Sequence, residues 1–189
     1  GKGILFIGRY FATINTWKAI KRDEAQKISN AGLYIVSIWQ ESANYPEYFS
    51  YDQGKSDGKN AFKYAAEIGQ TPNTPVYFAV DFDATLDYKQ RILDYFRGVK
   101  DGYKEYLNEY DIPYKIGVYG SYWVLNWLKE QDIVTYFYQA YAPGWSGGEN
   151  KNPWPSYNIR QISVGQVLCG IEVDYNHGSV DFGGWKYEI

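Results

Sequence analysis

Methionine is absent from the 189 residues, cysteine and histidine occur once each, and 19 lysines and arginines are set against 22 aspartates and glutamates. Each shortage excludes a class of function. One cysteine, Cys169, cannot build an internal disulfide framework. One histidine, His177, cannot supply the two or three imidazoles of a His-based zinc site. A Cys–His or Ser–His–Asp arrangement would also have to use His177. Cys169 lies in "VLCGIEVDYN" without the helix start that often activates a thiol, and "GSYW" at 120–123 is no nucleophile elbow. The net charge is −3 and no block of lysine or arginine stands out, so nucleic acid is not an expected partner. No apolar run is long enough to span a bilayer, and the N-terminus has no signal-peptide pattern. A chain that starts at Gly1 and contains no methionine reads as a piece of a longer protein, with any targeting segment outside it. If this chain does chemistry, carboxylates are the agents, and neither a metal nor a cofactor is expected.

Aromatic residues are abundant: 21 Tyr, 7 Trp and 9 Phe. Most are expected in the core. A few suit a groove in which flat rings pack against the apolar faces of pyranoses, and Trp39, Trp123, Trp145 and Trp154, with Tyr119 and Tyr141 nearer a mouth, are the candidates.

Strand-like and helix-like runs alternate. Strands are expected at 4–10, 33–40, 75–82, 114–121, 136–142, 158–163 and 170–176, and helices at 22–31, 56–68, 87–109 and 122–131. A Gly/Pro/Trp/Asn-rich loop covers 143–157. Alternation of this kind implies parallel pairing with crossovers. The expected fold is a single α/β domain over 1–189, a compact, modified (β/α)8 TIM-like barrel whose helices become short or missing near the C-terminus. An open doubly wound sheet is the alternative, but no G-x-G-x-x-G or P-loop follows the first strand.

The third strand, "PVYFAVDFD", ends in two aspartates. Side chains alternate along a strand, so Tyr77, Ala79, Asp81 and Asp83 are expected on one face and Phe78, Val80 and Phe82 on the other. Carboxyls about 7 Å apart raise each other's proton affinity, which can separate an acid from a base. The last strand, "IEVDYN", puts Glu172, Asp174 and Asn176 on one face. Active sites of parallel barrels lie at the carboxyl ends of the strands, where Asp81, Asp83, Asp174, Asn176, Arg9, Gln40 and Gln161 could meet. The plainer readings are that Asp83 caps a turn and that Arg9 neutralises Asp81 in a buried pair.

The segments "IGRYF", "EAQKISNAGLYIVSIWQ", "DGKNAFKYAAEIG", "PVYFAVDFD", "KIGVYGSYWV" and "IEVDYN", in that order, resemble a bacterial family of glycoside-hydrolase-like domains. That family is similar to glycoside hydrolase family 25, the Chalaropsis-type lysozymes, which share a modified (β/α)-barrel. The resemblance covers nearly the whole chain. It implies that Asp83 stands where the lysozymes carry a glutamate general acid, Asp81 where they carry the preceding aspartate, and Asp174 at their final-strand aspartate. Two departures accompany it. Asp83 is one methylene shorter than glutamate, and about 1 Å of misplacement can cost on the order of a hundredfold in rate. The first strand carries Gly8 and Arg9 where the lysozymes have an aspartate, and a guanidinium there would favour ionised neighbours.

Three functions follow as expectations. The first is hydrolysis of bacterial cell-wall or related extracellular polysaccharide, with Asp83, Asp81 and Asp174 as catalytic groups. Arg9, Gln40, Trp39, Tyr119, Trp123, Tyr141, Gln161 and Asn176 would bind substrate. The second is a non-catalytic carbohydrate-binding or wall-associated domain using the same groove. The third, a divalent ion held by the three aspartates, is the weakest. A monomer is expected, extracellular or wall-associated and fused to wall-binding modules in the full-length protein, with polysaccharide or peptidoglycan as partner.

Overall fold

The structure, a computed structural model, describes residues 3–14, 17–147 and 149–188. The elements run β1 (Phe6–Phe11), α1 (Arg22–Asn30), β2 (Tyr34–Trp39), α2 (Tyr51–Ile68), β3 (Pro75–Ala79), α3 (Lys89–Tyr110), β4 (Lys115–Gly120), α4 (Tyr122–Lys129), β5 (Tyr136–Gln139), β6 (Ile159–Leu168) and β7 (Ile171–Gly178). The seven strands form one curled sheet in sequence order. Neighbours from β1 to β6 are parallel, and β7 is antiparallel to β6.

The α/β class, the seven strands and the thinning of helices after β5 agree with the sequence reading. The eighth strand does not: among the described residues there is none, and no ladder joins β7 to β1. The reason lies between β6 and β7. Only Cys169 and Gly170 separate them, both at positive φ (52° and 79°). A parallel return needs a crossover of a dozen or more residues, whereas a two-residue turn can only make a hairpin. The ends of the sheet still approach each other. A Cβ on Gly178, at the end of β7, would lie 2.9 Å from the Phe6 ring at the start of β1.

The C-terminal segment covers the N-terminal ends of the strands. Phe182 stacks on Phe6 with ring centroids 4.7 Å apart and meets Tyr34 edge-on. The Tyr77 hydroxyl donates to the Phe182 carbonyl at 2.9 Å. Trp185 exchanges backbone hydrogen bonds with Ile35, and its indole N–H donates to the buried Ser37 hydroxyl at 2.8 Å. With that end occupied, the carboxyl ends of the strands are left as the open mouth.

Outward residues Val76, Phe78 and Val80 of the third strand and its extension are fully buried in the core beneath the helices. Helix α2 begins five residues before the sequence expectation, with Ser50 Oγ accepting from Gln53 N. Gly54 and Gly58 weaken the helical signal of its first turns. They are there for contact: a Cβ on Gly54 would lie 1.9 Å from the Tyr95 carbonyl oxygen, and one on Gly58 2.4 Å from that of Val99. Cβ atoms on Gly98 and Gly102 of α3 would lie as close to the Tyr51 and Lys55 carbonyl oxygens, at 2.1 and 2.0 Å. The two backbones touch along four glycines.

The same helix pair encloses a carboxylate. Asp57 is buried and accepts from Tyr48 Oη (2.5 Å) and Tyr95 Oη (2.6 Å) on one oxygen and from Gln53 Nε2 (2.8 Å) on the other. Burial pushes its carboxyl above the usual range, and these donors only partly offset that. A carboxyl with a higher pKa when folded stabilises the protein fully below its unfolded value, about 3.9, and that contribution is lost as pH rises through the folded pKa. Asp57→Asn is therefore expected to lose less stability than the wild type between mildly acidic and neutral pH in urea melts. Asp57→Ala, which orphans two buried hydroxyls, is expected to cost about 3 kcal/mol.

Candidate active site

Strand register decides which side chains face the interior. Tyr10 is paired with Ile38, Ile38 with Tyr77 and Tyr77 with Gly117. Ala79 is paired with Tyr119, Tyr119 with Tyr138 and Tyr138 with Ile159. The ring of Tyr138 meets those of Tyr77 and Tyr119 edge-on, at 5.6 and 4.9 Å. Two residues beyond Ile38, Ala79 and Ile159 come Gln40, Asp81 and Gln161, so the next layer toward the mouth is polar. Asn176 stands opposite Gln161 across the β6–β7 ladder, with Asp174 two residues earlier on β7.

These groups form two linked sets of hydrogen bonds. Gln40 Nε2 donates to Asp81 Oδ2 at 2.9 Å, and the Asp81 backbone N–H donates to the Ala43 carbonyl. Across the mouth, Gln161 Nε2 donates to Asp174 Oδ2 at 2.8 Å, and the Gly165 amide donates to Oδ1 at 3.0 Å. Gln161 Oε1 accepts from Tyr119 Oη and the Tyr141 amide, and Tyr138 Oη donates to Asn176 Oδ1 at 2.7 Å.

Electrostatics ties the two sets together. Burial raises the Asp81 carboxyl above its ordinary value and the charge of Asp174 raises it further, while Gln40 and Lys18 pull it down. Tyr10 is raised by burial and by the charges of Asp81 and Asp174. Tyr119 is raised well above its ordinary value by burial and then by Asp81. The charge of Asp174, on β7, thus reaches Asp81, on β3's extension, among a set of phenols. Such a pair can divide the roles of proton donor and charged partner.

Other sequence candidates lie elsewhere. Asp83 is exposed, and its two oxygens accept from the Ser146 amide (2.8 Å) and hydroxyl (2.9 Å). Strand alternation stops before it: the chain bends at Phe82, whose ring packs on Phe49 and Tyr88. Asp83 therefore braces the 143–147 loop. Arg9 does not neutralise Asp81. It points away from the mouth and makes a two-pronged ion pair with Glu24 of α1, at 2.6 and 3.0 Å. Trp39 is buried beside Tyr48 and Asp57 in the core. Trp154 is buried against Phe137, its N–H on Asn126. Trp123 packs under Gly147, and Trp145 is half-buried in the same loop. Tyr141 is exposed at the rim. Among the described residues no three His, Cys, Asp or Glu side chains group as a cation site requires.

Sequence reasoning missed Tyr10, Tyr138, Lys18 and Trp17. Alternation in "FIGRYF" could have found the first, since an outward Arg9 requires an inward Tyr10. Lys18 and Trp17 lie on the loop after β1, where no periodicity operates. Trp17 is 87% exposed there, and Lys18 Nζ sits 4.8 Å from the Tyr10 ring centroid.

Known proteins are similar to this chain in sequence or in fold. FadG of Bacillus subtilis is 31% identical over 185 residues, covering 91% of this chain; the chain spans only 31% of FadG's length. The Mycobacterium tuberculosis protein named "Putative peptidoglycan hydrolase Rv2525c" is 23% identical over 175 residues, covering 89% of this chain and 67% of that protein. The crystal structure of Rv2525c, a Tat-secreted protein, in complex with L-tartrate superposes with a TM-score of 0.77 at 21% identity, covering 94% of this chain and 87% of that one. The spore cortex lytic enzyme SleM of Clostridium perfringens superposes with a TM-score of 0.56 at 14% identity, covering 95% and 62%. The model of one family matches residues 1–177, and on that match the chain belongs to the Rv2525c-like, glycoside hydrolase-like domains.

Proposed function

We propose that this domain is a glycoside hydrolase acting on bacterial cell-wall polysaccharide, peptidoglycan in the first instance, with Asp81 as proton donor and Asp174 as its charged partner. One observation carries the reading: Asp81, raised by burial and by Asp174, shares the strand-end mouth with that second carboxylate. A carboxyl whose pKa is raised is the better proton donor of a pair to a leaving glycosidic oxygen, and a nearby charge can stabilise an oxocarbenium-like transition state. Gln40, Gln161, Asn176 and Tyr119 offer hydrogen bonds to sugar hydroxyls. Exposed Trp17 and Tyr141 offer flat surfaces at the rim. The family, and a relative named for peptidoglycan hydrolysis, support the substrate class. An extracellular or wall-associated site fits the Tat-secreted relative, and FadG's greater length fits a domain fused to others. The approach of Gly178 to Phe6 supports a barrel that is closed by contact.

A second reading, glycan binding without cleavage, is favoured by Asp83, the position of the general acid in the resemblance, being engaged by Ser146. Incubation with purified peptidoglycan separates the two. New reducing ends that vanish in Asp81→Asn are expected. Binding to the sacculus with no new reducing ends would leave the second reading, and neither binding nor cleavage would end both.

A further inference from the structure

Beyond the ends of β1 and β2 a side chain joins the two segments. Gln40 N donates to the Phe11 carbonyl at 3.3 Å. The next residue, Glu41, is buried, and one of its carboxylate oxygens accepts from the Thr13 amide, the Thr13 hydroxyl (2.7 Å) and the Ile14 amide (3.1 Å). The Ile14 amide also reaches the second oxygen, at 3.2 Å. A carboxylate is unfavourable in a buried place unless it is hydrogen-bonded, and here backbone amides and a hydroxyl supply the bonds. Thr13 and Ile14 are themselves exposed, so these bonds hold no core residue in place. What they do is clamp the start of the β1 loop to the end of β2.

Both sides of the clamp lead to Asp81. On the β2 side Gln40 immediately precedes Glu41, and its Nε2 donates to Asp81 Oδ2 at 2.9 Å. On the β1 side Lys18 follows Ile14 by four residues. Its Nζ sits 4.8 Å from the Tyr10 ring centroid, and Ile20 N ties the far end of the loop to the Tyr10 carbonyl at 3.0 Å. Gln40 and Lys18 pull the Asp81 carboxyl down, against burial and the charge of Asp174 on β7. Tyr10 on β1 and Tyr119 on β4 are the phenols raised by the Asp81 charge.

We infer that Glu41 is a positioning residue: by fastening the β1 loop to the end of β2, it keeps Gln40 on Asp81 and Lys18 at the same mouth. The inference rests on the reading of Asp81 as proton donor and adds what adjusts that donor.

Carbon-detected NMR titration of the Asp81 carboxyl in the 189-residue chain tests the clamp without a substrate. Glu41→Leu releases the loop, so the Asp81 pKa is expected to rise. Cleavage should fall by on the order of a hundredfold, as about 1 Å of misplacement can cause, with its falling limb moved to higher pH. Glu41→Gln, whose amide oxygen can still accept, should shift the pKa less. Thr13→Val keeps the Glu41 charge and removes only the hydroxyl donor of an exposed residue, and it should shift the pKa in the same direction. Losing a neighbouring negative charge alone would lower the Asp81 pKa, so the sign separates clamping from a direct charge effect. Thermal melts check that each variant is folded, and Thr13→Val carries the test if Glu41→Leu is not. An Asp81 pKa that stays put or falls in the folded variants would overturn the inference and leave the hydrolase reading standing. Upward shifts in a protein whose wild type cleaves nothing would support the clamp and end the hydrolase reading alone.

Discussion

Asp81→Asn is expected to lower peptidoglycan cleavage by about 10²–10⁴-fold, the usual contribution of a general acid, while barely changing stability. Asparagine can still accept from Gln40 through its amide oxygen, so the hydrogen bond at 2.9 Å survives and the proton does not. Reducing-end assays measure the first effect and urea melts the second. The pH profile gives a sharper test. As Asp81 is raised by burial and by Asp174, the proposed donor stays protonated above the ordinary aspartate range, and cleavage should fall as pH rises through that elevated value. Asp174→Asn removes a charge that raises Asp81, so it should move this falling limb to lower pH besides reducing the rate. Asp83→Asn provides the contrast. Its partners are the Ser146 amide and hydroxyl, so its loss should loosen the 143–147 loop and leave the falling limb where it was. If Asp83→Asn shifted that limb and Asp81→Asn did not, the donor would be Asp83.

The two aspartates show how far local pattern reaches. Alternation placed Tyr77, Ala79 and Asp81 correctly on one face because register with β2 and β4 keeps this stretch extended. Val80 still donates to the Tyr119 carbonyl beyond the strand proper. At Phe82 the aromatic cluster of Phe49 and Tyr88 takes over, and the period of two ends with it. A period cannot announce its own end when a tertiary contact causes it. The same holds for Arg9. Its proximity to the mouth in sequence was real, but its direction was set by Glu24 on a helix that begins thirteen residues later. Gln40, Gln161 and Asn176 were legible because all three stand at or next to strands whose inward positions could be counted. Lys18 was not, because the loop carrying it is shaped by Glu41, a residue 23 positions away whose carboxylate accepts from the Thr13 and Ile14 amides and the Thr13 hydroxyl. Strand count and order followed from alternating propensities. The antiparallel turn at Cys169–Gly170 is present in the sequence as "VLCGIEV", two β-rich runs split by a pair with one glycine, but the expected strand at 158–163 stops five residues short of the end of β6 and so leaves no hairpin in view.

A large loss of stability is also expected from a methyl group far from the mouth. Gly58→Ala is expected to cost about 3 kcal/mol, the upper end of ordinary overpacking, because the new Cβ would lie 2.4 Å from the Val99 carbonyl oxygen. A side chain in the way could rotate, but a helix backbone can move only as a unit, so α2 and α3 would have to separate. Intrinsic propensity pushes the other way, since alanine favours an exposed helix interior over glycine by about 1 kcal/mol. The sign of the measured change therefore reports the contact. Gly102→Ala should behave alike, as its Cβ would meet the Lys55 carbonyl oxygen at 2.0 Å. Gly144→Ala, with open space around its Cβ and no positive φ, is the near-neutral control. The double variant Gly58→Ala/Gly102→Ala should cost less than the sum of its parts: once the helices have moved apart for one methyl, the second meets less resistance. Equal and additive losses in urea melts would mean that each helix yields locally. The separation has a consequence for the rest of the domain, because it pulls Tyr95 on α3 away from Asp57 on α2, breaking a 2.6 Å bond to a buried carboxylate. Stability lost at Gly58 should then carry the pH dependence assigned to Asp57, with the deficit growing from mildly acidic to neutral pH as an under-partnered carboxyl is forced to ionise.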